Sequence, residues 1–401
     1  MYIKMNLLLF EIGNLRVNDN YLLKEINKNN DSNIYVFIWD SVWEEKSNNF
    51  INMGPFKKKF LKESVINLKE NLQKINLHLN VFYGNKLNIL NEIIKNYNIK
   101  YIFKNEPITN YDKELDDNLK SQTNIIYPNL NHNYLNNSNF NTISNNKSII
   151  LQNNINDIDI PTCSNYILGG ETSATNYLKN YIKKNIYNDN NNINFYFLIN
   201  NWLSFGCITN KILYKHIYPI KLKNKDNKNI NSLIKDIIQK EYYITNFDQI
   251  KFDLNNNNKL NGSVNTINKL FNSQTGYPFI DAIIKEINTT GRTHVKNKFI
   301  IASFIINDLN LNWKIGFDYF NSFLTDINYQ LNLQIWDYII NKKIYYNPKK
   351  QFIELDKNCF YVKKWIPELS NFSNDQIHNN NINYYEPIIH ITYTKSNLLI
   401  Y

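Results

Sequence analysis

The chain has 401 residues, of which 43% are hydrophobic, so it can bury a sizeable core, and its length favours two domains. Its formal charge of +10 favours a polyanionic partner, with nucleic acid ahead of a membrane surface. No apolar run is long enough to cross a bilayer, and no export or transit segment is evident. We therefore expect a soluble, intracellular monomer, whose compartment the sequence leaves open.

The cysteines and histidines indicate neither a disulfide framework nor a metal site. Cys163, Cys207 and Cys359 are odd in number and far apart, and none of them forms a Cys-x-x-Cys pair. The six histidines lack metal-ligand spacing as well. We expect a reducing compartment and no metal.

The first third of the chain alternates strand and helix patterns. Short apolar runs predict strands at Leu7–Phe10, Tyr35–Asp40, Asn80–Gly84, Tyr101–Lys104 and Ile125–Tyr127. Apolar stripes at helical spacing predict helices at Phe56–Ile75 and Leu87–Tyr97. This alternation implies a doubly wound, Rossmann-like parallel sheet with both faces covered. No G-x-G-x-x-G turn follows the first strand, so an ordinary dinucleotide site is not expected there.

The remainder of the chain reads as a linker followed by helices. Residues 129–165 are rich in Asn and weak in periodicity, which is typical of an interdomain linker. Helical stripes recur afterwards and strand signals are scarce. We predict an α/β domain over residues 1–128 and an all-helical domain over residues 166–401.

One helical segment carries an unusual order of turn and polar residues. Pro278 suits the first turn of a helix, and Gly276 before it permits a chain reversal. Ile280, Ile283 and Ile287 then follow at helical spacing and bury one face. Two packed helices of an all-α domain would explain the spacing of the isoleucines. They would not explain the order of the turn and polar residues, which are Thr275, Gly276, Tyr277, Asp281, Thr290, Gly291 and His294.

This segment resembles the flavin-binding core of the photolyase and cryptochrome family. Other parts of the chain support the resemblance: Phe10, Leu15, Arg16, Asp19 and Asn20; Met53 to Leu68, with its Gly-Pro-Phe and Glu-Ser pairs; and Gly169 to Tyr181, where Thr172 is placed to cap a helix. The Gly-Pro-Phe segment and Phe279 are similar to cryptochrome DASH in particular. The resemblance implies a C-terminal helical domain that binds flavin adenine dinucleotide (FAD).

The resemblance also implies roles for residues near the flavin ring. Asp326 matches a family carboxylate, Lys298 replaces the arginine that pairs with it, and Asn332 matches the residue near flavin N5. Ile327 belongs to the same segment, and Asn328 replaces a second carboxylate. An ordinary helix-to-helix ion pair on the surface remains the alternative for Lys298 and Asp326.

Two tryptophans match an electron relay to the excited flavin. Trp336 and Trp313 take two of its three positions, and the third falls near Leu260 in an Asn-rich stretch. A buried tryptophan on a helix is often only core, so that reading stays open.

The segment expected to hold the flavin pyrophosphate departs from the family. Its five residues take the place of a Thr/Ser-rich loop, so the hydroxyls are missing: Tyr196, Phe197, Leu198, Ile199 and Asn200. We predict a loop here, followed by a helix that begins near Trp202 and whose amides bind phosphate. Lys240 replaces an arginine on the cofactor side.

The resemblance places DNA contacts around a cavity for a flipped pyrimidine dimer. Asp236 matches the acid that hydrogen-bonds the dimer, and Tyr338 provides a flat ring for stacking. The other predicted contacts are Gln239, Lys240, Val295, Lys296 and Gln351. Glu106 resembles an acid near a folate antenna, 5,10-methenyltetrahydrofolate, although a solvated loop residue is the simpler interpretation.

Three functions follow as hypotheses. The first is FAD-dependent, blue-light-driven repair of cyclobutane pyrimidine dimers, with single-stranded DNA preferred and with Trp336, Trp313, Asn332 and Asp236 as the catalytic set. The second is a blue-light photoreceptor or nucleic-acid-binding flavoprotein without repair. The third is a degenerate family member without flavin.

Overall fold

A computed structural model describes residues 5–28, 32–48, 50–127, 167–185, 192–223, 227–245, 263–391 and 399–400. The predicted linker and Leu260 lie outside these residues. The chain divides into two compact units. The first unit comprises Met1–Glu45, Ile51–Thr162 and Ile167–Tyr242, and the second comprises Lys46–Phe50, Cys163–Tyr166 and Tyr243–Tyr401.

The first unit contains a five-stranded parallel sheet and its flanking helices. In chain order its elements are β1 (Met5–Phe10), α1 (Tyr21–Ile26), β2 (Ser32–Asp40), α2 (Pro55–Gln73), β5 (Leu79–Gly84), α3 (Lys86–Tyr97), β6 (Ile99–Phe103), α4 (Asn110–Lys120) and β7 (Asn124–Ile126). The short strand β3 (Lys46–Ser47) belongs to the second unit, and β4 (Phe50–Ile51) lies at the boundary between the units. The sheet order is β5-β2-β1-β6-β7. All five predicted strands and both predicted helices are confirmed.

Alternate side chains of the strands enter two different cores, which is why the strand sequences are almost continuously apolar. On one face, Leu8 and Phe37 pack with Leu61 and Leu68 of α2. On the other face, the neighbouring strand residues pack with helices α3 and α4, in a cluster that contains Leu7, Leu9, Ile34, Val36, Leu90, Ile93, Leu115 and Leu119. The doubly wound fold class is thereby confirmed.

Four helices after the linker belong to the first unit: α5 (Glu171–Asn185), α6 (Asn192–Ser204), α7 (Asn210–Lys223) and α8 (Lys228–Thr245), the last up to Tyr242. The sequence assigned them to the helical domain, and those domain bounds stay a prediction. Thr172 does not cap α5, because the helix already begins at Glu171. Its hydroxyl instead accepts a hydrogen bond from Asn67 at 3.0 Å.

The second unit is helical, as predicted. Its elements are α9 (Val264–Phe271), α10 (Pro278–Thr290), α11 (Val295–Ser303) continued by a π turn (Phe304–Asp308), α12 (Trp313–Phe323), α13 (Tyr329–Asn341), β8 (Ile344–Tyr345), α14 (Pro348–Leu355), α15 (Phe360–Trp365), α16 (Asn374–His378) and β9 (Leu399–Ile400). Pro278 starts α10, and Gly291 ends it with φ +68°. No helix in the described part of the chain is long and apolar enough to span a bilayer.

Candidate functional site

Two of the predicted ring-binding residues form a buried ion pair in the second unit. The Nζ atom of Lys298, on α11, lies 2.6 Å from Oδ2 of Asp326, in the segment between α12 and α13. The two side chains are 5% and 1% exposed. The alternative of a surface ion pair is therefore wrong. Because both charges are desolvated, removing one partner alone would be strongly destabilising.

The second oxygen of Asp326 is the notable feature of this pair. Its Oδ1 atom is buried and accepts no hydrogen bond from the described residues. The single nitrogen of Lys298 donates to one carboxylate oxygen, whereas the planar guanidinium of an arginine could donate to both. The following residues have structural roles: Ile327 is buried, and Asn328 caps α13 by accepting from the Leu331 amide at 2.9 Å.

A polar network that the sequence did not indicate lies close to the pair. Tyr361 donates to Glu286 at 2.6 Å, Thr293 donates to the same carboxylate oxygen, and Asn297 donates to Thr293 at 3.0 Å. Burial raises the pKa of Glu286, and the negative charge of Asp326 adds to that shift. Glu286 and Tyr361 are 75 residues apart, so no local pattern joins them.

Asn332 and Trp336, which the resemblance also assigns to the flavin, lie one helical turn apart on α13. Asn332 is fully buried, donates to the Phe317 carbonyl at 3.0 Å, and accepts from Trp336 Nε1 at 3.0 Å. These bonds fix the orientation of the amide, because its oxygen faces an N–H and its nitrogen faces a carbonyl. We call Lys298, Asp326, Asn332 and Trp336 the ring site.

The second predicted relay residue lies on α12. Trp313 is half-buried at the start of that helix, with its ring 5.6 Å from Phe317, which in turn lies 5.3 Å from Tyr329. Gly316 on the same helix packs directly against the Trp336 ring. The helix α12 therefore carries Trp313 and borders Trp336, and the relay role of both tryptophans stays a prediction.

Three predicted DNA contacts lie at the outer ends of α11 and α13. Val295 begins α11 and is exposed, Lys296 is half-buried, and Tyr338 on α13 is exposed at its rim. Phe299, one turn after Val295, contacts the Tyr338 ring edge to face at 5.3 Å. These residues thus share one aromatic surface.

Gln351 does not belong to that surface. It is 1% exposed on α14, and its amide donates to Glu354 at 3.4 Å. A DNA contact through this side chain would first require it to leave the core. The predicted role is untested, and the burial gives it no support.

The segment predicted to bind phosphate is not a loop. Tyr196 to Asn200 lies inside α6, and Trp202 belongs to the last turn of that helix instead of starting the next one, which begins at Asn210. Ile199 is fully buried. Interior helix amides already bond to carbonyls four residues back, so they cannot bind a phosphate. The predicted loop and the predicted helix start near Trp202 are both wrong.

Helix α8 brings its three predicted residues to one face. Asp236, Gln239 and Lys240 have helical spacing, with the first two exposed, while Leu233 and Ile237 bury the other face. The Nζ atom of Lys240 donates to Asn200 Oδ1 of α6 at 2.8 Å. Two residues predicted to hold the cofactor are thereby in contact.

Glu106 follows β6, in the loop where the sequence placed it. It is exposed, as a solvated loop carboxylate would be. The neighbouring Asn105 is the residue with structural bonds: its amide N–H donates to Glu11 at 3.2 Å. The folate role of Glu106 stays a prediction.

The motif that opens α10 is built around Asp281, which is fully buried. It accepts from the Thr275 amide at 2.9 Å and from the Tyr384 hydroxyl at 3.0 Å. Burial nevertheless raises the pKa of Asp281 to about 6. Its ionised form is therefore less favourable in the folded protein than in the unfolded chain.

The raised pKa of Asp281 predicts a pH-dependent stability. The folded pKa exceeds the unfolded value of about 4, so this contribution is complete below that value and is lost as the pH rises through about 6. Between these values the contribution of Asp281 to the free energy of unfolding should fall by at most about 1.4 kcal/mol per pH unit. Urea unfolding of the wild type and Asp281→Asn across this range measures the difference. Asp337→Asn, a partly exposed carboxylate on α13, is the control, and equal slopes in all three proteins would contradict the prediction.

Comparison with known proteins agrees with the fold of both units. The family model "DNA photolyase" matches residues 7–138, and the model "FAD binding domain of DNA photolyase" matches residues 225–396. Together these matches span most of the chain and both of its units. The chain belongs to the photolyase/cryptochrome family.

Its relatives indicate a divergent member. Cryptochrome DASH from Synechocystis is 23% identical over a 437-residue alignment that covers 91% of this chain and 88% of the relative. Cryptochrome DASH from Danio rerio is 28% identical over 235 residues, which cover 52% of this chain and 44% of that protein. The crystal structure of Synechocystis cryptochrome matches with a TM-score of 0.82 and 21% identity, covering 97% of each chain.

Proposed function

We propose that this protein binds FAD at the ring site and uses blue light to repair cyclobutane pyrimidine dimers, with single-stranded DNA preferred. The observation that carries the proposal is Asp326, whose Oδ2 atom holds Lys298 while its buried Oδ1 atom lacks a donor among the described residues. An unsatisfied buried acceptor costs about 1–3 kcal/mol. A ligand N–H directed at it removes that cost.

The ring site fits the edge of a flavin. An isoalloxazine ring offers N–H donors and carbonyl acceptors, which match the free oxygen of Asp326 and the cation of Lys298. Asn332 adds a second polar side chain, fixed by Phe317 and Trp336. When bound, FAD supplies the absorption of blue light and, in its reduced form, the electron that splits the dimer. The protein positions the ring and excludes water.

The residues on the phosphate side fit less well. The helical segment Tyr196 to Asn200 contains no Ser or Thr, and its backbone amides lie inside a helix instead of a loop. Lys240, whose Nζ atom donates to Asn200, is one cation on that side. We therefore expect this protein to retain FAD less tightly than its relatives do.

The DNA partner is supported by charge and by an exposed ring. The chain carries a formal charge of +10, which suits phosphate binding. Tyr338 and Val295 are exposed where the family places the extruded base, and a flat ring there can stack on it. The monomeric state, the folate antenna near Glu106 and the preference for single strands are parts of the proposal.

Each of the two other functions is supported by one specific observation. Gln239 and Val295 stand in place of a stacking tryptophan and a polar asparagine, which favours a photoreceptor or nucleic-acid-binding flavoprotein without repair. The continuous helix α6 favours a family member that has lost flavin. Cofactor content separates the last function from the other two.

The cofactor proposal is tested by FAD uptake. The purified protein should take up about one FAD, read from its visible absorption after removal of free cofactor. The double variant Lys298→Met/Asp326→Leu removes both charges together, so it should stay folded but lose at least about tenfold in FAD affinity, equivalent to one charge-assisted hydrogen bond. Asp318→Asn, which changes another carboxylate of the same unit, is the control. A folded wild type that takes up no FAD, or a double variant that binds as well as the wild type, would refute the proposal.

Repair is tested separately by illumination of the reduced, FAD-loaded protein with a dimer-containing single-stranded oligonucleotide. Restored pyrimidines are expected, and the rate should exceed that on the same dimer in a duplex. FAD binding without restored pyrimidines would leave the photoreceptor function in its place.

A further inference from the structure

Helix α7 carries aromatic and basic residues on one side. At 100° per residue, five of them and Leu222 fall within about a third of the helix circumference. We call this set the tyrosine–lysine strip: Lys211, Tyr214, Lys215, Tyr218, Lys221 and Leu222. The core-facing side of the helix is formed instead by Leu213 and Ile217, which are buried.

The two tyrosines of the strip form an aromatic pair in which Tyr214 is half-buried and Tyr218 is exposed. Their rings are stacked, with centroids 4.9 Å apart and planes 19° apart. Tyr218 is 36% exposed and Leu222 is 54% exposed. Tyr214 packs against the core of the first unit, whereas the exposed part of the Tyr218 ring leaves water only when a partner covers it.

The charges of the strip all have one sign. The helix Asn210–Lys223 contains no Asp or Glu. Lys211 is 3.2 Å from Asp19, whereas Lys215 and Lys221 make no ion pair with any described residue. Free lysines flanking stacked aromatic rings match the alternation of phosphates and bases along a nucleic acid strand.

We infer that the tyrosine–lysine strip binds single-stranded nucleic acid through residues that are not among the predicted contacts of the dimer cavity. The exposed rings favour a single strand over a duplex, whose bases are stacked inside and cannot reach Tyr218. They also favour it over an acidic peptide, which would use the lysines but not the rings. The strip belongs to the first unit and uses none of the ring-site residues, so the inference goes beyond the proposed function and needs no flavin.

The inference is tested with the full chain in the dark, using fluorescence anisotropy and a lesion-free oligonucleotide of about ten nucleotides, near the site size of such surfaces. Tyr218→Ala should weaken binding about tenfold, in line with the loss of one stacked base, whereas Tyr218→Phe should retain it. Tyr83→Ala, which removes another exposed tyrosine of the same unit, is the matched control.

The lysines are tested through salt dependence. Lys215→Gln/Lys221→Gln should reduce the slope of log K against log salt by about 1.4, because each phosphate contact on a single strand contributes about 0.7. Lys95→Gln/Lys113→Gln, exposed lysines on α3 and α4, make the same charge change elsewhere.

The inference is overturned if either strip variant changes binding no more than its control. It is also overturned if a duplex of the same sequence binds as tightly, or if oligoglutamate displaces the oligonucleotide and Tyr218→Ala has no effect. Because the measurement uses neither light nor a dimer, failure of repair and failure of the strip give different results.

Discussion

Replacing Lys298 with methionine should lower the free energy of unfolding by about 3–5 kcal/mol, the usual cost of removing one partner of a buried ion pair. Asp326 is 1% exposed, and its Oδ2 atom would lose its donor while Oδ1 already lacks one among the described residues. Both oxygens of a buried carboxylate would then be unpaired. Urea unfolding of the cofactor-free protein measures the change.

The double variant Lys298→Met/Asp326→Leu is the decisive control. It removes the pair as a unit, and such replacements are neutral or stabilising by about 1–4 kcal/mol in other proteins. A stable double variant beside an unstable single variant would mean that the pair is kept for a function other than stability. If the single variant is as stable as the wild type, solvent reaches Asp326 and the ring site is not desolvated.

The sheet could be predicted because its signal is local. Each strand is a short apolar run bounded by polar or turn-forming residues, and each helix repeats its apolar residues every three or four positions. Leu7 and Leu8 illustrate the rule, since neighbours in the strand enter opposite cores. A doubly wound sheet is nearly the only way to bury such runs on both sides.

Helix α6 was missed although its own sequence carried a signal. Phe195, Ile199 and Trp202 recur at helical spacing, and all three are buried. The prediction of a loop came from the family resemblance, which assigns a loop to this position. Where the residues have changed as completely as Tyr196 to Asn200, the physical pattern is the better guide.

The candidate site residues could be predicted only where a single position of this sequence could be matched to the family. Lys298, Asp326 and Asn332 lie in continuous motifs, and the structure places all three in the core. The residues that pair with or surround the buried polar groups of this unit do not lie in such motifs. Glu286 reaches Tyr361 across 75 residues, and burial of Gln351 depends on how α14 packs, so neither can be read from spacing.

Gly316→Ala should destabilise the protein by roughly 3 kcal/mol, at the upper end of the cost of overpacking. In an exposed helix the same change would stabilise by about 1 kcal/mol, since alanine is the better helix former. Here the new Cβ atom would lie 2.1 Å from Cη2 of Trp336 and 2.8 Å from Cδ1 of Ile305, both fully buried. Steric overlap therefore outweighs propensity. Displacement of the indole ring would also break its hydrogen bond to Asn332.

A double-mutant cycle isolates this contact. Phenylalanine lacks the outer indole atoms that approach Gly316, so Gly316→Ala should cost little in a Trp336→Phe background. Urea unfolding gives the coupling free energy, and the near-ultraviolet circular dichroism of Trp336 reports whether its ring has moved. An equal cost of Gly316→Ala in both backgrounds would mean that another contact requires the glycine. A large coupling would mean that glycine is kept on α12 because the edge of the Trp336 ring packs against this position, where any Cβ atom would displace it.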